Sequence, residues 1–389
     1  MAATCIVGWG HTRFGRRDDL DLEGLIVEAT RAAIADSGID PADIDAIYLG
    51  HFNGGLIRDS FVSSLIMQAD DRLRFKPATR LENASASGAA AIFQGLHAIA
   101  AGKARIVLVV GAEKMTSVSG KQVTDVLASA SYVKDEAARG MTFPGLFAAM
   151  AETYFKRFGD HHLATLARIA AKNHANGVRN PIAHIRRDLG FDFCNTVGPD
   201  NPLVASPLRK TDCSTVADGA AALILADGET ARTLAKKVAF RAYSQVNDFL
   251  PIAKRDPIAF DGPRLAWAQA LAAAGLVVSD LSLAEVHDCF TMAELLTYEA
   301  MGLAETGRGS VIIDEGISAL TGRLPINPSG GLKAKGHPIG ATGVSMHVMA
   351  AMQLVGEAGD FQVPDARLAG VFNMGGSAVA NYVSILEAC

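Results

Sequence analysis

The first chemistry legible in this chain is a histidine set in a glycine-rich run. Residues 327–343, NPSGGLKAKGHPIGATG, hold five glycines, two prolines and His337 within seventeen positions. Pro338 follows the histidine and steers its backbone out of the helical region. The glycines permit sharp turns and the close approach of a ligand. Such a histidine is held by main chain rather than by neighbouring bulk, and it can donate a hydrogen bond or move a proton. A structural glycine loop with an incidental histidine is the other reading of the local physics. Three further runs put polar groups at the ends of expected elements: Asn83-Ala-Ser-Ala-Ser-Gly88, His287-Asp-Cys-Phe290 and Asn373-Met-Gly-Gly-Ser377.

The run 327–343 resembles the C-terminal active-site signature of the thiolase family, in which the Gly-His-Pro histidine is catalytic. The Lys-Ala-Lys-Gly-His-Pro form is closer to the sterol-carrier-protein and archaeal branch than to the biosynthetic branch, and the resemblance extends along the whole chain. It assigns roles to the other runs. Thiolases place a nucleophilic cysteine at the start of the helix after Asn83, where the helix dipole stabilises a thiolate. This chain has Ser85 there. A serine hydroxyl is far less acidic than a thiol of pKa about 8.5. Ser85 therefore needs a base in contact to act as a nucleophile, and an acyl-serine is a poorer acyl donor to coenzyme A than a thioester.

By the same resemblance, Cys289 is the second acid/base at the substrate α-carbon, and His287 helps His337 bind a thioester oxygen. A buried structural cysteine is the alternative for Cys289. Asn373 stands where many thiolases carry a second catalytic cysteine, as expected of the branch in which Cys289 takes over that duty. The backbone N–H groups of Gly375 and Ser85 would form a second oxyanion hole, unless Gly375 belongs to a structural turn. Met141-Thr-Phe143-Pro144 resembles the stretch that lines the acyl channel. Met141 and Phe143 are then expected against the acyl-coenzyme A, with ordinary core packing as the other reading.

The implied activity is thiolase-type acyl-CoA C-acyl transfer, the Claisen condensation or thiolytic cleavage of a 3-ketoacyl-CoA. Coenzyme A enters as substrate, with no covalently bound cofactor and no metal. Three readings follow from Ser85: a thiolase inactivated or engineered at its nucleophile, a thiolase-like carbon–carbon lyase that needs no acyl-cysteine, or a non-catalytic acyl-CoA-binding subunit. A homodimer or homotetramer is expected. Some relatives work with a small OB-fold zinc protein, which is an analogy only.

These residues need elements to position them. Residues 4–9 read as a buried strand. Leu22, Leu25, Ile26, Ala29 and Ala33 recur at helical spacing, and Gly38 is a plausible left-handed cap. A strand follows near 46–49. The plan recurs later, with a helix through 266–274, Gly275, and a strand near 283–286. Gly38/Gly275, Ile39/Leu276, Asp43/Asp280 and Ile44/Leu281 share one offset. Ser87-Gly88 and Thr342-Gly343 likewise each open a helix that leads to a strand, at 106–110 and 368–372. This predicts two duplicated α/β halves, each with a central sheet. With the resemblance, the fold expected is the five-layered αβαβα thiolase fold. Its first half is 1–116 with 208–234, its second half is 235–389, and a loop domain, 117–207, covers the substrate. Basic residues of that insertion, among them Lys156, Arg157, Arg168 and Lys172, could meet coenzyme A phosphates, though most are expected on a solvated face. His161, His162, His174 and His184 are expected at the surface, because their spacing fits no metal site.

Bulk properties bound the rest. A length of 389 residues argues for more than one core, and 38 glycines among 49% hydrophobic residues suit a packed α/β protein. A net charge of −5 argues against nucleic acid as a general partner. Five scattered cysteines suit a reducing compartment and form no Cys-x-x-Cys pair. No run approaches the roughly 20 apolar residues of a membrane helix. No secretory signal pattern opens the chain and no peroxisomal tripeptide closes it, so the expected location is cytoplasmic.

Overall fold

The computed structural model describes residues 3–159 and 162–389. The chain opens with β1 (Cys5–His11), α1 (Leu22–Ser37), β2 (Ala46–Gly50), β3 (Ala78–Leu81), α2 (Ser87–Ala100) and β4 (Ile106–Glu113). A largely helical stretch follows: α3 (Gly120–Ala128), α4 (Phe143–Phe158), α5 (His162–Arg179) and α6 (Gly190–Asn195), then a short hairpin of β5 (Leu203–Ala205) and β6 (Leu208–Arg209). The chain returns through β7 (Gly219–Ala226) and α7 (Gly228–Arg232). The remainder is β8 (Val238–Asn247), α8 (Asp261–Ala274), β9 (Leu283–Val286), α9 (Thr291–Ala300), α10 (Ser310–Asp314), α11 (Gly331–Lys335), α12 (Ile339–Leu354), β10 (Leu368–Gly375) and β11 (Ala380–Ala388).

The repeat read from sequence is a structural repeat. Gly38 and Gly275 both cap their helices at φ +67°, a left-handed conformation that glycine adopts without a Cβ penalty. Each is followed by one short 3₁₀ turn, Pro41–Asp43 or Val278–Asp280, and then by a strand parallel to its neighbour. The expected pair of central sheets is in fact one nine-stranded sheet, ordered β3-β2-β4-β7-β1-β8-β11-β10-β9. The halves join where β1 meets β8, at Cys5–Ala239 and Ile6–Val238. Helix α1 packs outside β1 and β7, and α8 packs outside β8 and β11. Helices α2 and α12 lie inside, α12 touching strands of both halves, which gives the αβαβα succession.

Composition explains that middle layer. β4 and β7 are continuous apolar runs, buried along their whole length, as strands covered on both faces must be. α12 is buried at all but one of its sixteen positions. α2 and α12 cross where glycines let their backbones meet. A Cβ on Gly88 would stand 2.8 Å from the Gly340 carbonyl oxygen and 2.8 Å from the Val344 nitrogen. The paired Ser87-Gly88 and Thr342-Gly343 signals thus mark the contact between the two halves.

Two expectations fail in the insertion. His162 and His174 are buried, each 1% exposed, instead of lying at the surface. His184 is half-buried, and His161 lies outside the described residues. The cause is α5, which packs against α6, α9, α10 and α11 and so turns much of its polar face inward. Lys172 of the same helix is also withdrawn from solvent. It pairs with Glu294 at 2.9 Å and with the Ile326 carbonyl at 2.7 Å, so it is not free to meet a phosphate. Among the described residues no helix is long and apolar enough to cross a membrane.

The crossing gives a stability prediction. Gly88→Ala places a methyl group against rigid backbone and should cost about 1–3 kcal/mol or more, read as a lower denaturant midpoint. Gly120→Ala, where no atom lies within 4 Å of the new Cβ, should be neutral or slightly stabilising.

Candidate active site

The glycine-rich loop of residues 327–343 is built on backbone amides held by buried carboxylates. Glu285 of β9 accepts from the Ser329 N–H at 3.1 Å and the Ser329 hydroxyl at 2.7 Å. Asp288 accepts from the Leu332 N–H at 2.6 Å and the Lys333 N–H at 3.2 Å. Glu113, at the end of β4, accepts from the Gly340 N–H at 3.0 Å and from Phe52 and Asn53 N–H groups at 2.9 and 3.0 Å. Gly331 lies at φ +59°, and a Cβ there would strike the Asp288 carboxylate. The glycine is required by this close approach.

Helix α5 closes the loop from the other side. Asn173 donates to Asp288 and to Glu294, both at 2.7 Å. Asn176 donates to the Asn327 carbonyl at 3.0 Å, and Asn180 to the Ser329 carbonyl at 2.9 Å. These asparagines fall at i, i+3 and i+7, one face of a helix. That spacing is a signal in the sequence that these asparagines share one side of the segment.

The loop delivers His337 beside His287, with ring centroids 5.1 Å apart and planes at 88°. Hydrogen bonds assign their tautomers. Asn373 Nδ2 donates to the Ser85 carbonyl at 3.1 Å, a partner that only accepts, so this atom must be the amide nitrogen. The same NH₂ lies 2.9 Å from His287 Nδ1, which therefore accepts. His287 thus carries its proton on Nε2 and is a donor. For His337, Nδ1 lies 2.7 Å from the Thr342 hydroxyl, which donates its single proton to the Pro338 carbonyl at 2.9 Å. His337 Nδ1–H donates to that oxygen, leaving Nε2 with a lone pair. One imidazole is a donor and the other a base, where the sequence reading made both donors.

Burial sets the charge states. It pushes the His337 imidazole down to about 3, helped by the cation of Lys335. Burial also pushes His287 well down, with His337 and Lys335 adding to the effect. Cys289 is 3% exposed. Burial, together with the negative charge of Asp288, raises its thiol well above the usual range, so it rests protonated. Asp288 is itself raised, by burial and then by the neighbouring charge of Glu294.

Ser85 sits in a tight turn just before α2. Ala84 adopts φ +49°, and the turn is tied by the Ser87 hydroxyl, which donates to the Ala84 carbonyl at 2.7 Å and accepts from the Asn83 N–H at 2.9 Å. Among the described residues no side-chain base lies within hydrogen-bonding distance of Ser85 Oγ; its recorded polar contact is through its carbonyl, to Asn373.

Ser85, Cys289 and His337 all open into one cavity of about 570 Å³. Phe143, Leu127, Val123, Phe290 and Ile339 make its walls predominantly apolar. Helix α4 supplies part of that wall, with Phe147 stacked on Phe290 at 4.5 Å between centroids. Phe143 belongs to the lining and Met141 does not. Cys213 also lines the cavity. Its neighbour Ser214 donates its N–H to the Cys289 carbonyl at 2.8 Å. His287 and Asn373 stand behind the surface residues, and Gly375 lines an adjoining hollow with Asn83 and Ala84.

A buried protonated thiol and a histidine thus open together into one apolar cavity, with a second imidazole behind them, on a duplicated αβαβα frame. Residues 4–229 match the thiolase N-terminal domain, and residues 244–388 match the thiolase C-terminal domain-like family. The chain belongs to the thiolase family, an acyltransferase class that uses coenzyme A thioesters as substrates. An acetyl-CoA acetyltransferase of Methanothermobacter thermautotrophicus is 38% identical over 381 residues, 97% of each chain. Sterol carrier protein 2 of Homo sapiens is 32% identical over 95% of this chain and 69% of its own length. Among solved structures, an Ltp2-ChsH2(DUF35) aldolase superposes with a TM-score of 0.85, covering 100% of this chain and 98% of that one at 23% identity.

The tautomers are directly measurable. Long-range ¹⁵N correlation spectra of histidine-labelled protein should find His287 as the Nε2–H form and His337 as the Nδ1–H form. Thr342→Val should release the His337 tautomer while leaving His287 unchanged, and Asn373→Leu should do the reverse.

Proposed function

We propose that this chain is a thiolase-type acyl-CoA C-acyltransferase, acting in the Claisen condensation or thiolytic cleavage of a 3-ketoacyl-CoA, with Ser85 in place of the acyl-accepting thiol. The observation that carries the reading is the juxtaposition of Ser85, Cys289 and His337 in one apolar cavity, with Cys289 held protonated. In thiolytic cleavage of a 3-ketoacyl-CoA, the nucleophile attacks C3 and gives its proton to His337 Nε2. The C2–C3 bond breaks and its electron pair becomes the enolate of the departing thioester. Cys289 S–H protonates C2, while His287 Nε2–H steadies the thioester oxygen; the acyl group stays on the nucleophile until a coenzyme A thiol takes it as a thioester, that thiol's proton returning to Cys289 and the His337 proton to the nucleophile. Gly375 and Ser85 N–H groups are assigned to the second oxyanion. Phe143 is assigned to the acyl-coenzyme A channel by its place in the cavity wall, and Met141, which lies outside that lining, is not. The functional assembly is a homodimer or homotetramer.

A second reading is favoured by the absence of a base beside Ser85 Oγ. Retro-aldol cleavage of a 3-hydroxyacyl-CoA needs no acyl acceptor. His337 Nε2 takes the hydroxyl proton, the C2–C3 bond breaks to release a carbonyl product, and Cys289 protonates the enolate. The structural neighbour described as an aldolase carries a DUF35 partner, and a small OB-fold zinc protein is the corresponding partner for this chain under that reading.

Thiolysis of acetoacetyl-CoA by this chain and by Ser85→Cys separates the two. Ser85→Cys should gain an acyl adduct by intact mass, and turnover should rise on the order of 100-fold or more, the scale of restoring one member of a nucleophilic unit. An inert Ser85→Cys, beside a wild-type chain that cleaves 3-hydroxyacyl-CoA thioesters, would replace the acyltransferase reading with the lyase.

A further inference from the structure

Lys335 is fully buried, two residues before His337, and its charge is not neutralised by contact. Its Nζ donates to the Ser345 hydroxyl at 2.6 Å. That hydroxyl lies 2.8 Å from His11 Nε2, and His11 Nδ1 lies 2.6 Å from the Thr12 carbonyl. The carbonyl only accepts, so Nδ1 carries the imidazole proton and Nε2 accepts from Ser345. The serine oxygen is then left to accept from Lys335. Every bond in the chain runs one way, from ammonium to serine to imidazole to carbonyl. Beyond it, Nζ stands 5.5 Å from the centre of the Phe14 ring. Among the described residues no carboxylate comes within ion-pairing distance of it, whereas Lys114 and Lys172 are paired at 2.7 and 2.9 Å.

Burying an ammonium without a direct counter-charge is costly, and a packing role alone does not explain it. The titratable groups that face Lys335 are Glu285, His287 and Asp288 from β9 and its end, His11 from β1, His184 across a backbone hydrogen bond, and His337 on its own segment. Both carboxylates are already saturated by loop amides and hydroxyls. Both site imidazoles lie within the field of the ammonium.

We infer that Lys335 is an electrostatic positioning residue for the site: a deliberately unpaired ammonium, locked in place by Ser345 and His11, that acts through the two imidazoles and favours negative charge developing on a bound thioester oxygen. The inference rests on the acyl-thioester reading of the site for its catalytic consequence, but not for its physical basis. In the low-dielectric interior such a field reaches the imidazoles without solvent screening. It disfavours a resting imidazolium at His337, which keeps Nε2 available as a base.

Burial pushes the Lys335 ammonium down to about 8. The imidazole ¹⁵N and ¹³C resonances of His287 and His337 should move together with a midpoint near pH 8. That step should vanish in Lys335→Arg, whose guanidinium stays charged, and in Lys335→Met, which is neutral throughout. Persistence of the step in Lys335→Arg, or its absence from the wild-type chain, overturns the inference. The Arg comparison stands even if Lys335→Met does not fold. In the Ser85→Cys background, kcat should fall as pH rises through 8, Lys335→Arg should remove that fall, and Lys335→Met should lower kcat about 10-fold or more with little change in KM. A Ser85→Cys protein without turnover, whose imidazoles still report the step, would sink the acyltransferase reading and leave the electrostatic role of Lys335 standing.

Discussion

The site depends on the capture of a flexible loop's amide groups by carboxylates buried in the core. Five glycines in residues 327–343 make that loop conformationally expensive to order, and the loop cannot hold an imidazole by itself. Glu285, Asp288 and Glu113 accept its N–H groups at three points, and the side chain of Asn327 ties its start to the Val286 N–H and to Glu294. Each of these carboxylates is withdrawn from water, which is costly unless several donors converge on it. Here they do. The glycines and the carboxylates are therefore one device: Gly331 has no side chain because Asp288 occupies the place where it would stand.

That device explains how the halves cooperate. Glu113 belongs to the first half, Glu285 and Asp288 to the second, and the asparagines of α5 to the insertion. His337 is thus fixed by three parts of the chain that are far apart in sequence. The close crossing of α2 and α12 at Gly88 and Gly343 brings the Ser85 turn against the same loop. Asn373, at the end of β10, then spans the two, holding the Ser85 carbonyl and His287 with one amide group.

The chemistry follows from burial more than from the identity of any single side chain. Withdrawal from solvent keeps both imidazoles neutral and Cys289 protonated, so the resting site holds a base, a donor and an acid side by side. This set does nothing to ionise Ser85, whose oxygen lacks the thiolate-forming acidity that a helix terminus can exploit in cysteine. The apolar lining of the cavity strengthens the charges placed around it.

The sequence by itself determined the repeat, its helix caps and strands, and it singled out Ser85, Cys289 and His337, which open into one cavity. Those signals are short-range: glycine at a left-handed cap, apolar period, a proline after a histidine, and a motif whose residues keep fixed spacing. Only the tertiary structure decided which imidazole is donor and which is base, that the halves share one sheet through Cys5 and Ile6, and that His162 and His174 are inside. It also decided that, among the described residues, no side-chain base is hydrogen-bonded to Ser85 Oγ, and that Glu113 serves a loop more than two hundred residues away. The reason is physical. A tautomer, a buried charge or a satisfied amide is fixed by its partners in space. For Asn373, Glu113 and Lys335 those partners are supplied by other elements, out of reach of any local pattern.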